Sequence, residues 1–329
     1  MTHQPRVTIL TPTYNRATLL EITIESVLAQ TYPNIEYIVL DDGSTDDTLD
    51  VLNRYQDRLT WLTHPNMGEA RTVNRGFERA AGDLIGVVNS DDPVMPDLVE
   101  RVVEAAHANP DALVFYPDWF KIDADGTPIS PVFQREYDFR HMLTDGVCLV
   151  GPGAFFRRQA LQYGGRDIRY RSVGDFAFWL RLGAHARFVR VPYTLATHRV
   201  HADSATVAGR GKAAADEMIE MMHDVFAQSE LPPQYRALER TSSANMEYLA
   251  GAQCLPDDIG SARRLFRRSF RRDPSRMLRQ PRRLAQVIAS HMLPPARYSA
   301  LYRRWMARKA EYERAAAKFT HLDDTNAQC

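Results

Sequence analysis

Cysteine is scarce in this chain. There are three in 329 residues, Cys148, Cys254 and Cys329, odd in number and scattered. That excludes a disulfide-stapled secreted scaffold and shows no zinc or redox spacing, so a reducing cytoplasm is the expected compartment. Long apolar runs are absent too: none approaches the ~20 residues needed to cross a bilayer. The N-terminus shows no charged-then-apolar leader, and Val7–Leu10 is too short for one and reads as a strand. No G-x-G-x-x-G follows that strand, which disfavours a dehydrogenase. No internal repeat stands out. Net charge is also missing, with 41 Lys+Arg against 41 Asp+Glu.

The zero hides a division. Residues 1–205 hold 20 basic and 27 acidic side chains, a net of −7, and residues 206–329 hold 21 and 14, a net of +7. Arg263–Lys309 alone carries 15 basic residues against Asp273. Two oppositely charged parts suggest two jobs, and the length allows two domains, here drawn at 1–205 and 206–329. At 44% hydrophobic and 25% charged the chain is globular rather than disordered or fibrous.

The first part alternates β-rich runs with helical spacing. Strands are expected at Arg6–Leu10, Ile35–Leu40, Leu59–Leu62, Asp83–Val88 and Ala112–Asp118. Helices are expected between them: Arg16–Gln30, with Leu20, Ile24, Val27 and Leu28 on one face, then Thr45 to about Tyr55, Glu69–Ala81 and Pro96–Ala108. This alternation predicts βαβ units and a mostly parallel sheet flanked by helices. Further on, a hairpin is expected over Phe120–Val132, strands at Gly151–Phe156, Arg187–Val191 and Tyr193–Thr197, and a helix at Ser172–Gly183. After Ser204 the pattern is entirely helical.

Ligands of such sheets sit at the carboxyl ends of the strands. Those ends read Thr11-Pro12-Thr13-Tyr14-Asn15-Arg16, then Asp41-Asp42-Gly43-Ser44, then Asn89-Ser90-Asp91-Asp92. Carboxylates converging on one rim repel one another, and a divalent cation or a hydrogen-bonding ligand relieves the repulsion.

Those three segments, joined in order by Asn66-Met67-Gly68 with Arg71 and Asn74, by Gly174-Asp175 before Phe178-Trp179-Leu180-Arg181, and by His198-Arg199-Val200-His201, carry a resemblance. Residues 6–204 resemble the GT-A catalytic domain of the family 2 glycosyltransferases, a Rossmann-like α/β fold. The resemblance implies an inverting hexosyltransferase-type enzyme, with a C-terminal α-helical extension outside the resemblance. It also implies roles for individual residues. Pro12, Tyr14 and Arg16 would line the nucleotide pocket, and Asp42 would accept a hydrogen bond from the base, as uracil N3–H can donate. Arg71 would face the nucleotide. Asn89 stands where the family usually has Asp, so it can bond a ribose hydroxyl but brings no charge. Asp91, beside the nucleotide sugar, and Asp92 would then supply the carboxylates for Mn²⁺ or Mg²⁺, with His201 as a further metal ligand and His198 as the poorer candidate. Asp175 would be the catalytic base that deprotonates the acceptor hydroxyl. A helix N-cap is the competing role for Asp42, Asp92 and Asp175, and Trp119 and Trp179 read as core or acceptor wall.

The expected partners are a nucleotide-sugar donor, read as UDP-linked, and a glycan or lipid-linked saccharide acceptor. A sugar nucleotidyltransferase shares the sheet and acidic loop but carries a Gly-rich phosphate loop that Thr11–Arg16 is not. A nucleotide-sugar-binding scaffold on a degenerate transferase domain rests on Asn89 and Gly174. In the second part, Tyr298, Leu301, Tyr302, Trp305 and Met306 form an apolar stripe beside Arg303, Arg304, Arg308 and Lys309. Residues 263–309 therefore read either as a peripheral membrane contact, at the inner face of the membrane, or as a helical bundle. No reading-head motif accompanies the arginines, so nucleic acid is not an expected partner.

Overall fold

The computed structural model describes residues 4–200 and 211–308. Strand β1 (Val7–Thr13) is buried along its whole length and runs past the β-branched stretch into Pro12. It pairs in parallel with β2 (Ile35–Asp41) as far as Thr13, but with β4 (Leu84–Val87) only as far as Leu10. Pro12 thus lies where a single neighbour flanks the strand, which is where a missing N–H is tolerated. The next strand, β3 (Thr60–Thr63), pairs in parallel with the outer edge of β2.

The helices follow from their apolar spacing. On α1 (Ala17–Leu28) the buried residues are Leu20, Thr23, Ile24 and Val27, one stripe at 3.6-residue period. The others in this half are α2 (Thr48–Arg54), α3 (Glu69–Arg79) and α4 (Leu98–Ala108). On α3, Gly76 lets the helix approach the sheet: a Cβ there would stand 2.6 Å from a Leu40 methyl and 2.8 Å from one of Leu10.

Beyond β4 the sheet changes direction. The three-residue β7 (Phe155–Arg157) runs antiparallel to both β4 and β5 (Ala112–Ile122). The expected strand at Gly151–Phe156 is shorter and shifted because its first four residues have no ladder partner. β5 also pairs antiparallel with β6 (Pro128–Val132), the expected hairpin, and parallel with β8 (Arg187–Arg199). The two short strands expected at 187–197 are one long strand. Val191 faces Pro117 and Thr194 faces Asp118, so Pro192 and Tyr193 are bulged out of the ladder without ending it. The sheet order is β3-β2-β1-β4-β7-β5-β6, with β8 on β5.

Two elements have no counterpart in the sequence reading, α5 (Phe139–Asp145) and a 3-10 turn at Arg158–Tyr163. Helix α6 (Gly174–Gly183) is the expected one, and its Phe178 and Trp179 lie in an aromatic cluster with Phe156 and Phe77. Trp179 is thus core.

The chain forms two compact units. One holds the residues up to Tyr137 and those from Cys148 to the end of β8. The other holds Asp138–Val147 and the helices from Lys212 onward. Its main helices span Lys212–Ala227, Glu239–Gln253, Ile259–Arg272 and Pro281–Met292, with residues 295–308 also helical. Tyr248, Ala262, Phe266, Met277, Val287 and Tyr298 share its core. Many of its arginines are consumed inside the unit. Arg268 and Arg272 hold the buried Glu247 at 3.0 and 2.8 Å. Arg263 donates to the carbonyls of Ser290 and Leu293, and Arg276 to that of Thr144 and to the Asp145 carboxylate.

Gly86 in β4 lies flat beneath the Phe155 ring, where a Cβ would come within 2.4 Å of a fully buried aromatic. Gly86→Ala should therefore destabilise the protein by about 1–3 kcal/mol, read as a lower midpoint in chemical denaturation. An unchanged midpoint would show that the ring repacks freely.

Candidate functional site

Because β1, β2, β3 and β4 are parallel, their carboxyl ends Thr13, Asp41, Thr63 and Val87 share one edge of the sheet. The first two loops on that edge are tied together by Asn15. This residue has φ 51°, the left-handed region that Asn tolerates better than most side chains. Its side-chain carbonyl accepts the Thr45 N–H at 2.7 Å, and its own N–H donates to Ser44 Oγ at 2.8 Å. Asp41 is fully buried and takes Thr63 Oγ1 at 2.7 Å and the Ser44 N–H. It shapes the turn.

Asp42 has a different task. It is 5% exposed, and its two oxygens accept the N–H groups of Met67 at 2.7 Å and Gly68 at 2.9 Å. His64 Nδ1 lies 3.5 Å from the same carboxylate. A carboxylate has about four lone-pair positions, so two backbone bonds fix its orientation and leave acceptor capacity. Pro12 is buried in β1 opposite Leu40, while Tyr14 is 47% exposed on the rim. Arg16 Nε stands 4.0 Å from Asp91 Oδ2, joining the first loop to the acidic loop after β4.

Within Asn89–Asp92 the two carboxylates have unlike surroundings. Asp92 is buried and accepts the Arg199 N–H at 2.7 Å and the Asn89 side-chain amide at 3.0 Å, with His198 Nδ1 3.6 Å away. Asp91 keeps more of its side chain at the surface. Its carbonyl, rather than its carboxylate, receives Arg199 Nε at 2.9 Å. The neighbouring Asp92 carboxylate raises the His198 pKa above its ordinary value against the opposing effect of burial, with the Asp91 charge adding to the rise. The Trp119 ring meets the His198 ring edge-on at 5.6 Å.

Asp175 is exposed in the first turn of α6 and accepts the adjacent Phe176 N–H at 2.7 Å. Burial, and next the Asp175 charge, push the Cys148 thiol up, so the 148–150 segment lies within the field of Asp175. Arg71 is exposed on α3. No hydrogen bond or ion pair among the described residues joins Asp175 or Arg71 to the acidic loops. Asn74 clamps Arg166 through both its backbone N–H and its carbonyl, each at 2.7 Å, and so organises a loop. His201 lies outside the described residues. Among the described residues no group of three or more His, Cys, Asp or Glu is arranged to hold a metal ion.

The sequence reading missed two features. Arg199 is 2% exposed and gathers three carbonyls, those of Asp91, Asp123 and Ala124. His198, the poorer candidate on strand alternation, is the histidine beside Asp92. Both belong to the His-Arg-Val-His segment, so the signal was present without its geometry. A cavity of about 390 Å³ opens next to this loop, walled by Ile22, Val94, Phe120, Ile122 and Thr197 as well as Arg199. Its walls are mostly apolar, unlike the acidic rim.

Asn15→Ala should remove the Thr45 bond and place alanine in left-handed backbone, lowering stability by about 1–3 kcal/mol. Asn15→Gly should restore part of the loss, because it relieves only the backbone strain. Equal losses in denaturant titrations would show that the φ angle is not a constraint.

Comparison with known proteins accords with this geometry. Residues 8–165 match the family model described as Glycosyl transferase family 2. The teichuronic acid biosynthesis glycosyltransferase TuaG of Bacillus subtilis is 34% identical over 188 residues, which are 54% of this chain and 72% of TuaG. Among solved structures, S. aureus TarS 1–349 in complex with UDP-GlcNAc superposes with a TM-score of 0.66 at 16% identity, covering 91% of this chain and 92% of that one. The mannosyltransferase PcManGT of Pyrobaculum calidifontis, in complex with GDP-Man and Mn²⁺, gives 0.58 at 20% identity over 98% and 88%. These two likenesses show the shared GT-A fold. A family match beginning on β1 and spanning both acidic loops, with a relative of this identity and coverage, makes the chain a member of glycosyl transferase family 2.

Proposed function

We propose that this glycosyltransferase moves a sugar, with inversion, from a UDP-linked donor to a hydroxyl of a glycan or lipid-linked saccharide, with a divalent cation, at the inner face of a membrane. The observation that carries the reading is the unlike setting of the two carboxylates in the acidic loop. Asp92 is buried and holds the loop, and Asp91, 4.0 Å from Arg16 Nε, is the more exposed of the two.

The donor set fits a hard cation that takes much of its coordination from the substrate. One carboxylate on the rim is too few for a cage built by protein alone, whereas diphosphate oxygens complete an oxygen-rich shell around Mg²⁺ or Mn²⁺. Asp91 is the residue that would hold the ion, with His201 a further candidate. When bound, the ion neutralises charge on the departing nucleotide. That PcManGT was solved with Mn²⁺ and GDP-Man, and TarS with UDP-GlcNAc, supports a metal and a nucleotide sugar here.

The chain's own residues do the rest. Asp42, fixed by Met67 and Gly68, presents its remaining acceptor capacity to the base, and Tyr14 offers an exposed ring for it to pack on. Asn89 bonds a ribose hydroxyl, and Arg16 and Arg71 contribute to the nucleotide-sugar site. Asp175 takes the proton of the acceptor hydroxyl as that oxygen bonds to the anomeric carbon. The bond from that carbon to the phosphate oxygen breaks, and the nucleotide leaves from the opposite face. One base suffices, because inversion is a single displacement.

Asp175→Asn should lower turnover about a hundredfold to ten-thousandfold while UDP affinity, measured by calorimetry, stays near wild type. Loss of UDP binding, or retained turnover, would overturn the base assignment.

The two loop carboxylates should separate by readout. Asp91→Asn should remove the Mn²⁺ dependence of UDP-sugar hydrolysis with little change in stability. Asp92→Asn should instead lower stability by about 1–3 kcal/mol, because it sets an amide against three donors. An unaltered Mn²⁺ activation curve for Asp91→Asn would count against the metal role of this loop.

A further inference from the structure

The arginines of the second unit fall into two sets. Arg263, Arg268, Arg272, Arg276 and Arg283 bind carbonyls, Glu247, Asp145 and Asn245. Arg267, Arg271, Arg282, Arg297, Arg304 and Arg308 are exposed, and none pairs with an acidic side chain among the described residues. Large apolar side chains stand exposed among them: Phe270, Leu278, Ile288 (47%), Met292 (79%), Leu301 (49%) and Trp305 (55%).

Their spacing makes faces of them. In Pro281–Met292, Val287 and Ser290 are buried, whereas Ala285, Ile288 and Met292 recur at i, i+3 and i+7 on the outer side, after Arg282. Along residues 295–308, Tyr298 is buried and Tyr302 packs against the core. The exposed side carries Arg297, Leu301, Arg304 and Arg308. Trp305 follows the buried Tyr298 by seven residues, on nearly the same side of the helix, and its ring meets that of Tyr302 at 5.8 Å, so it borders the buried stripe with 55% of its surface exposed. The exposed sides of these two helices are each cationic and apolar at once.

We propose that these exposed sides dock on an anionic phospholipid bilayer, the guanidinium groups on headgroup phosphates and Ile288, Met292, Leu301 and Trp305 at the acyl boundary. Charge complementarity selects the partner. Unpaired guanidinium groups bind phosphate with bidentate geometry, and each basic residue near an anionic leaflet adds about 1 kcal/mol. The interleaved apolar groups select a bilayer over a soluble polyanion, because only a bilayer offers hydrocarbon beside its phosphates. The reading deepens the membrane placement given above and needs neither nucleotide nor metal.

The test is co-sedimentation of the full chain with vesicles of phosphatidylcholine alone and of phosphatidylcholine mixed equally with phosphatidylglycerol, without nucleotide or metal. Binding is expected to the mixed vesicles only and to fall with added salt. The variant R282Q/R297Q/R304Q/R308Q should lower that binding at least about a hundredfold. Trp305→Ala should lower it by a smaller factor with the salt dependence kept. All five side chains are exposed, so unchanged circular dichroism is expected and shows that the fold is intact. Equal binding to both vesicle types, no binding to either, or an unaffected quadruple variant overturns the proposal. So does binding to a single-stranded RNA oligonucleotide without binding to the mixed vesicles. Because the assay contains no donor, its failure leaves the transferase reading standing, and failure of transfer leaves the docking result intact.

Discussion

A buried carboxylate without donors is among the costliest groups a protein can hold, and Asp92 is buried. Its stability in that position depends on the Arg199 N–H, the Asn89 amide and His198 arriving together. Arg199 and His198 close the last strand, more than a hundred residues away in sequence, whereas Asn89 comes from the same loop. The acidic loop therefore has a defined shape only once β8 has paired with β5. The neighbouring Asp91 inherits its position from that assembly. One side chain is thus committed to structure, and the position of the next follows from it.

A similar economy governs the other rim carboxylates. Asp41 and Asp42 are adjacent in sequence and look interchangeable there. In the fold, Asp41 faces the hydroxyl of Thr63 and closes its own turn, while Asp42 reaches across to the loop that begins α3. Two like charges side by side are tolerable because each is solvated by a separate set of donors.

This explains what was legible in the sequence and what was not. The parallel half of the sheet could be read because each strand and helix carries its own periodicity, as with Leu20, Ile24 and Val27. The gathering of the polar loops on one edge could be read because parallel strands end on the same side of a sheet. What could not be read depends on long-range pairing. β7 has three residues and little intrinsic signature, and it exists because β4 and β5 leave a gap for it. Pro192 reads as a break, yet the ladder closes around it. The assignment of Asp92 to structure and the turning inward of Tyr298 and Tyr302 both require knowledge of which partner faces which. Periodicity identifies a stripe, but packing decides which part of it is covered. The same holds for charge: a run of arginines looks uniform until buried carbonyls and Glu247 claim some of them.

Arg199 has one more property. Its single guanidinium also donates to the carbonyls of Asp123 and Ala124 at the tip of the β5–β6 hairpin, besides that of Asp91. The hairpin tip is a surface turn, the sort of place where chains normally gain and lose residues freely. Here its carbonyls are part of the solvation of a cation that also steadies the acidic loop. An insertion at that turn would be felt at the rim without touching any residue there. The length of this hairpin is therefore constrained by a loop at the opposite end of the same guanidinium.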